Sequence, residues 1–188
     1  MKRFAVVAIL TLGLIAGGSC SSSGSKSATG KFNHVDVTFV QQMIPHHQQA
    51  VEMADMAPKQ AASPRVIALA KRIRTAQAPE IAQMRSWLKT WKKPETSTGQ
   101  DSGMGHGGMA SMGEGMMSSD DMKQLGLRSG PAFDHQFLTM MVRHHQGAVS
   151  MANQELKSGR SSDAKSLARN IVKTQQAEIG EMQNLLNP

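Results

Sequence analysis

Two adjacent histidine pairs, His46-His47 and His144-His145, occupy matching places in two near-copies of one motif. A neutral imidazole binds Zn, Cu, Fe or Ni, and thioether sulfur nearby shifts the preference toward Cu(I). Thioethers are close at hand. Met43 and Met141 lie four residues before His47 and His145, and Met53 and Met151 share a helix flank with His46 and His144. Asp36, Val40, Met43, His47, Ala50 and Ala54 recur at helical spacing, so His47 falls at the centre of an apolar stripe.

A second anomaly matches the first. Val66, Leu69, Ala70, Ile73, Met84, Trp87 and Leu88 form another stripe, with Gln77 and Glu80 inside it; Gln175 and Glu178 repeat the pattern between Ile171 and Met182. A carboxylate within an apolar stripe is costly unless paired, hydrogen-bonded or metal-bound. Two readings follow. Four histidines and two glutamates, Glu80 and Glu178, with Met43, Met53, Met141 and Met151, form a metal site backed by Gln77 and Gln175. Alternatively, Glu80 and Glu178 accept hydrogen bonds from His47 and His145 in a buried polar network. Asp36 and Asp134 stand about 16 Å along the axis from the histidines at 1.5 Å per residue, too far to share a mononuclear site, and suit helix capping or the first-turn dipole.

The elements that must position these groups come in two copies. "DVTFVQQMIPHHQQAVEMA" from Asp36 recurs from Asp134 as "DHQFLTMMVRHHQGAVSMA", and the same offset of 98 aligns the stretches from Leu69 and Leu167. Two copies of a helix pair predict four main helices, near 34–58, 64–92, 132–157 and 162–186. Ser63-Pro64 supplies an N-cap and a first-turn proline. Ser118 and Asp121 stand at capping-box spacing and predict a further short helix. The chain is all-α: two antiparallel hairpins joined by one long crossover into a four-helix bundle over 33–187, with repeats 34–92 and 132–186 and linker 93–131. Fifteen methionines and no tyrosine agree with packed helices. Pro45 and Pro79, found only in the first copy, predict local distortion of that hairpin.

The crossover carries chemistry of its own. "GMGHGGMASMGEGMM" sets His106 among Met104, Met109, Met112, Met116 and Met117, with glycines between. It reads as a secondary, low-specificity catch for Cu(I) or Ag(I), or as a solvated linker of biased composition.

Lys2 and Arg3 precede the apolar run "FAVVAILTLGLIAGG", which small residues lead into Cys20. Residues 1–19 therefore read as a signal peptide, and 20–32 as a Ser/Gly-rich tether. The arrangement resembles a bacterial lipoprotein signal with Cys20 as the lipidated residue, which implies a membrane-anchored protein on the extracytoplasmic side. A single cysteine excludes an intrachain disulfide. Removing Lys2 and Arg3 leaves 19 basic against 14 acidic residues, net +5, spread through the helices. Interspersed charge on an exported chain argues against nucleic acid as a partner. No nucleophile with a partnered base and no nucleotide fingerprint is present, and "GMGHGG" follows no strand.

The doubled D-x-x-F-x-x-x-M-x-x-H-H-x-x-A-V-x-M-A pattern, the lead-in from Asp120 and the later "QQAEIGEM" resemble domain of unknown function family 305 over about residues 32–187. The resemblance implies a ferritin-like four-helix fold in exported bacterial proteins, some linked to copper or silver. Ferritin-like di-iron sites use Glu-x-x-His, whereas Met43 and Met141 occupy the glutamate position here, which counts against a di-iron oxidase. The expected function is cell-envelope copper or silver sequestration or delivery, with a copper ion, or another transition metal, as ligand and an envelope copper-handling protein as partner. The alternatives are a redox metalloenzyme on the same scaffold and a structural or partner-binding lipoprotein with a polar core.

Overall fold

The computed structural model describes residues 31–95 and 113–187. Five helices account for its regular structure: α1 (His34–Gln60), α2 (Pro64–Trp91), α3 (Ser119–Gly126), α4 (Gly130–Ser158) and α5 (Ser162–Leu186). The four long ones match the expected spans to within two residues at each end. The signal run, Cys20, and His106 with Met104, Met109 and Met112 lie outside the described residues.

Three of the helix starts carry a side-chain cap. Asn33 and Asp36 form a reciprocal capping box at α1, and Ser118 and Asp121 form one at α3. The Ser161 side chain accepts from the Ala164 N–H at α5. Ser63 holds the N-cap position of α2 without a side-chain bond. Its N–H, at 2.8 Å, and that of Ala62, at 3.1 Å, are instead taken by the carboxylate of Asp134.

The mirror contact exists. Asp36, besides its capping role, accepts the N–H groups of Arg160 (2.9 Å) and Ser161 (2.8 Å) in the α4–α5 turn. Both repeated aspartates thus cross to the other copy's turn, and Asp36 also caps its own helix. These contacts put the start of α1 beside the end of α4, so the two helices run antiparallel across the middle of the bundle. Helices α1 and α2 pack along their length, as do α4 and α5. Between α2 and α5 the links are polar: Arg72 to Glu181 at 2.6 Å and Asn170 to Glu80 at 3.2 Å.

Helix α1 continues through Pro45 and Pro58, and α2 through Pro79. Pro45 and Pro79 face outward. A missing backbone donor on the solvent side leaves its carbonyl partner to water, so the helix need not break.

The apolar core has two parts. One joins the C-terminal half of α1, the N-terminal halves of α2 and α4, and Met182. The other joins Val37 to Ile44, Ile81 to Leu88, Ala148 to Ala152 and Ala164 to Ile171. The histidines, Gln77, Glu80, Gln175 and Glu178 fall between them in all four long helices. A polar layer therefore crosses the bundle at mid-height.

Candidate metal centre

Four imidazoles fill that layer, each 0–1 % exposed. His46 from α1 and His144 from α4 lie against each other, ring centroids 3.7 Å apart and planes inclined by 38°. His144 and His145 centroids are 6.4 Å apart. On the two flanks, His47 Nε2 meets Glu80 Oε2 at 2.8 Å and His145 Nε2 meets Glu178 Oε2 at 2.8 Å. The two halves are near-identical here because the 98-residue repeat places the same groups at the same helix angles.

These bonds leave a surplus of imidazole nitrogen. The Nδ1 atoms of His46, His47, His144 and His145, and Nε2 of His144, are buried without a partner of acceptable geometry, as are the side-chain oxygens of Gln77 and Gln175. Buried polar atoms are nearly always satisfied, so a cluster of orphans demands a cause. Burial holds His46 down to about 3, and the neighbouring His47 adds to the effect. Burial, followed by His46, holds His144 well below its ordinary value. Both rings are neutral at neutral pH, the form whose lone pair binds a metal. The donor chemistry fits a soft or borderline ion: Met43, Met53 and Met141 are fully buried and Met151 nearly so, on the same stretches of helix.

The end of the crossover covers the layer. Nε2 of His46 donates to the Glu114 carbonyl at 3.1 Å. Gln49 holds Met117 from both sides, accepting its N–H at 2.7 Å and donating to its carbonyl at 2.9 Å. Such proximity needs two glycines. Gly115 has φ +82°, and a Cβ on Gly147 would lie 1.9 Å from the Glu114 carbonyl oxygen. At the matching place in the first copy stands Gln49.

Several expectations change. Glu80 and Glu178 sit on His47 and His145 rather than in one group with all four rings. Among the described residues no three His, Cys, Asp or Glu side chains gather closely enough to hold an ion. Met117, read as part of the loop catch, is instead core: it is 2 % exposed, and Arg143 Nη2 contacts its sulfur at 3.0 Å. The expected linker 93–131 contains α3 and the first two residues of α4. Sequence reasoning missed the cover over His46; a glycine inside an otherwise regular helix, Gly147, was the available signal. It also missed Glu155, wholly buried beside Asp36 and matched by Ala57 in the first copy. Burial, then the neighbouring Asp36, raises the Glu155 carboxyl to about 8. Burial also pushes Asp36 upward, but backbone hydrogen bonds from Asn33, Ser161 and Arg160, with the adjacent Glu155 carboxyl, outweigh it and leave Asp36 below the usual carboxylate range.

The fold and site together define a duplicated four-helix bundle whose buried middle layer is rich in neutral imidazole and thioether. The chain belongs to the DUF305 family, a domain of unknown function, whose model matches residues 36–186. A DUF305 protein of Streptomyces coelicolor, described as secreted, is 31 % identical with a TM-score of 0.72, covering 81 % of this chain and 92 % of that one. A DUF305 fragment from Deinococcus radiodurans is 31 % identical with a TM-score of 0.71, covering 84 % and 98 %. CopM in its Cu(II)-bound form is 32 % identical with a TM-score of 0.67, covering 81 % and 95 %, and is also known with Cu(I) and with silver bound. No curated protein matches the chain.

Proposed function

We propose that this protein is an exported copper-binding protein that sequesters or delivers Cu(I), and takes Ag(I) in its place. The single observation carrying this reading is the buried layer of neutral imidazoles with five unpartnered ring nitrogens among buried thioethers. The similarity to CopM, which binds copper and silver, supports it. In this reading Glu80 and Glu178 are orienting groups. Each accepts the Nε2–H of its histidine and turns the Nδ1 lone pair inward, as second-shell carboxylates commonly do for metal-bound imidazole. Export rests on the N-terminal run ending in Cys20, with lipid attachment there holding the bundle at the outer face of a membrane; the S. coelicolor relative described as secreted agrees. The methionines and His106 at 104–116 serve as a capture tract feeding the bundle.

Titration of the purified mature domain with Cu(I) against a competing chelator tests the reading. Affinity tighter than micromolar is expected, weakened in the His46→Ala/His144→Ala double variant and retained in Asp134→Ala. Affinity no better than micromolar would sink it.

A further inference from the structure

A cavity of about 440 Å³ opens beside His46 of the histidine layer. His46, Met151 and Met116 share its lining with Pro45 and Glu114. His46 and Met151 belong to different helices, α1 and α4, and Met116 to the end of the crossover. We infer that these three side chains form one soft-metal site, one imidazole and two thioethers, built jointly by bundle and crossover and specific for a monovalent ion such as Cu(I) or Ag(I). The inference rests on the copper-binding reading and narrows it to one place.

Three observations support the assignment. First, His46 is 1 % exposed, its Nε2–H is committed to the Glu114 carbonyl, and its Nδ1 has no partner. That bond fixes the tautomer and leaves the Nδ1 lone pair as the ring's free donor. Second, Met116 is held in place. Its N–H donates to the Gly113 carbonyl at 2.9 Å, closing a turn, and the next residue is clamped by Gln49. The seat for that turn exists because Gly147 has no Cβ. Third, the equivalent position in the second copy is filled. Arg143 replaces Pro45, and its guanidinium reaches Met117 sulfur at 3.0 Å and Asp121 at 3.4 Å. Met53, the counterpart of Met151, is fully buried there.

The chemistry selects the ion class. Two thioethers and one imidazole add no negative charge, so they favour a soft monovalent cation over Zn(II) or Cu(II), whose preferred sites include harder or charged donors. The expected complement is one tight site per chain despite the internal repeat.

Methionine methyl NMR of the mature protein titrated with Ag(I), a diamagnetic probe, tests this directly. The Met116 and Met151 methyls should shift together at the first equivalent, while Met53 and Met141 stay in place. Met116→Leu and Met151→Leu keep side-chain volume and should each weaken the first Ag(I) by at least about tenfold, the scale seen when a metal site loses a supporting group. Met53→Leu should not, and unchanged melting of the ion-free variants confirms that each one folds. If the wild type binds Ag(I) tightly but Met116→Leu binds equally well, this site is wrong while the copper reading stands. If the wild type binds no Ag(I) or Cu(I), both fall.

Discussion

The two faces of the histidine layer differ although the helices beneath them repeat. Over His46 the cover is thin: the turn at 113–116, the outward-facing Pro45 and an open cavity. Over His144 the cover is built from side chains, with Met117 buried, Arg143 laid on its sulfur, and α3 packed across α1 and α4. One residue pair carries much of the contrast. Proline at 45 cannot reach outward, whereas arginine at 143 can. Duplication supplied the same imidazoles twice, and a few unmatched positions (Pro45 against Arg143, Gln49 against Gly147, Ala57 against Glu155) gave the two halves different covers.

The largest effect should come from removing one member of the aspartate pair. Asp36→Ala deletes a capping box and two contacts to the far turn, and leaves Glu155 without its neighbour. A loss of about 2–4 kcal/mol is expected in urea unfolding. Asp134→Ala, at a partly exposed position with two contacts, should lose about 1–2 kcal/mol. Equal losses would erase the asymmetry between the two turns.

Glycine substitutions come next. Alanine at an ordinary helical glycine stabilises by up to about 1 kcal/mol. Gly180 in α5 meets nothing within 4 Å of an added Cβ, so Gly180→Ala should raise the melting temperature. Gly147→Ala drives a methyl into the Glu114 backbone and should destabilise by roughly 1–3 kcal/mol. A Gly147→Ala variant as stable as wild type would mean that the turn does not hold His46 covered.

Glu155 and His46 separate on the pH axis. The Glu155 carboxyl, raised from 4.5 to about 8, keeps its proton when folded and loses it when unfolded anywhere between those values. Its contribution is therefore full below about pH 4.5 and drains away as pH rises toward 8, at up to about 1.4 kcal/mol per unit. His46, lowered from 6.5 to about 3, works the other way, since the unfolded chain takes a proton that the native ring refuses. Stability from that source falls as pH drops below 6.5. Unfolding of Glu155→Gln, followed from pH 5 to 8, should lose the alkaline decline and keep the acid one. A wild-type profile flat between pH 6.5 and 8 would contradict the protonated carboxyl.

The smallest effect belongs to the exposed contact over the closed face. Arg143→Ala removes a solvent-exposed ion pair with Asp121 at 3.4 Å, worth at most about 1 kcal/mol. It should nonetheless let a second Ag(I) bind at the His144 side, read as a rise in stoichiometry by calorimetry.

Much of this architecture was legible in the residues. The 98-residue offset fixed the hairpins, the Ser118–Asp121 spacing placed α3, and helical periodicity put His47 and His145 in the core. The stripe carboxylates could be read as ligands or as hydrogen-bond acceptors, because both uses demand the same face of the same helix. What stayed hidden depends on contacts between distant segments. Glu114 reaches His46 across 68 positions, and Asp36 reaches Ser161 across 125, with no local pattern announcing either. Met117 looked like its neighbours in the glycine-rich tract, since a methionine's role as core or donor depends on where its backbone is pinned. Gln49 does that pinning.

The most direct test of the central claim is a crystal of the mature protein soaked with Ag(I) or grown with Cu(I), with the metal located by anomalous scattering. The account predicts a peak between the two apolar cores, within bonding distance of a histidine Nδ1 and of methionine sulfur. Peaks confined to the outer surface or to residues 96–112, with the imidazole layer unchanged, would contradict it.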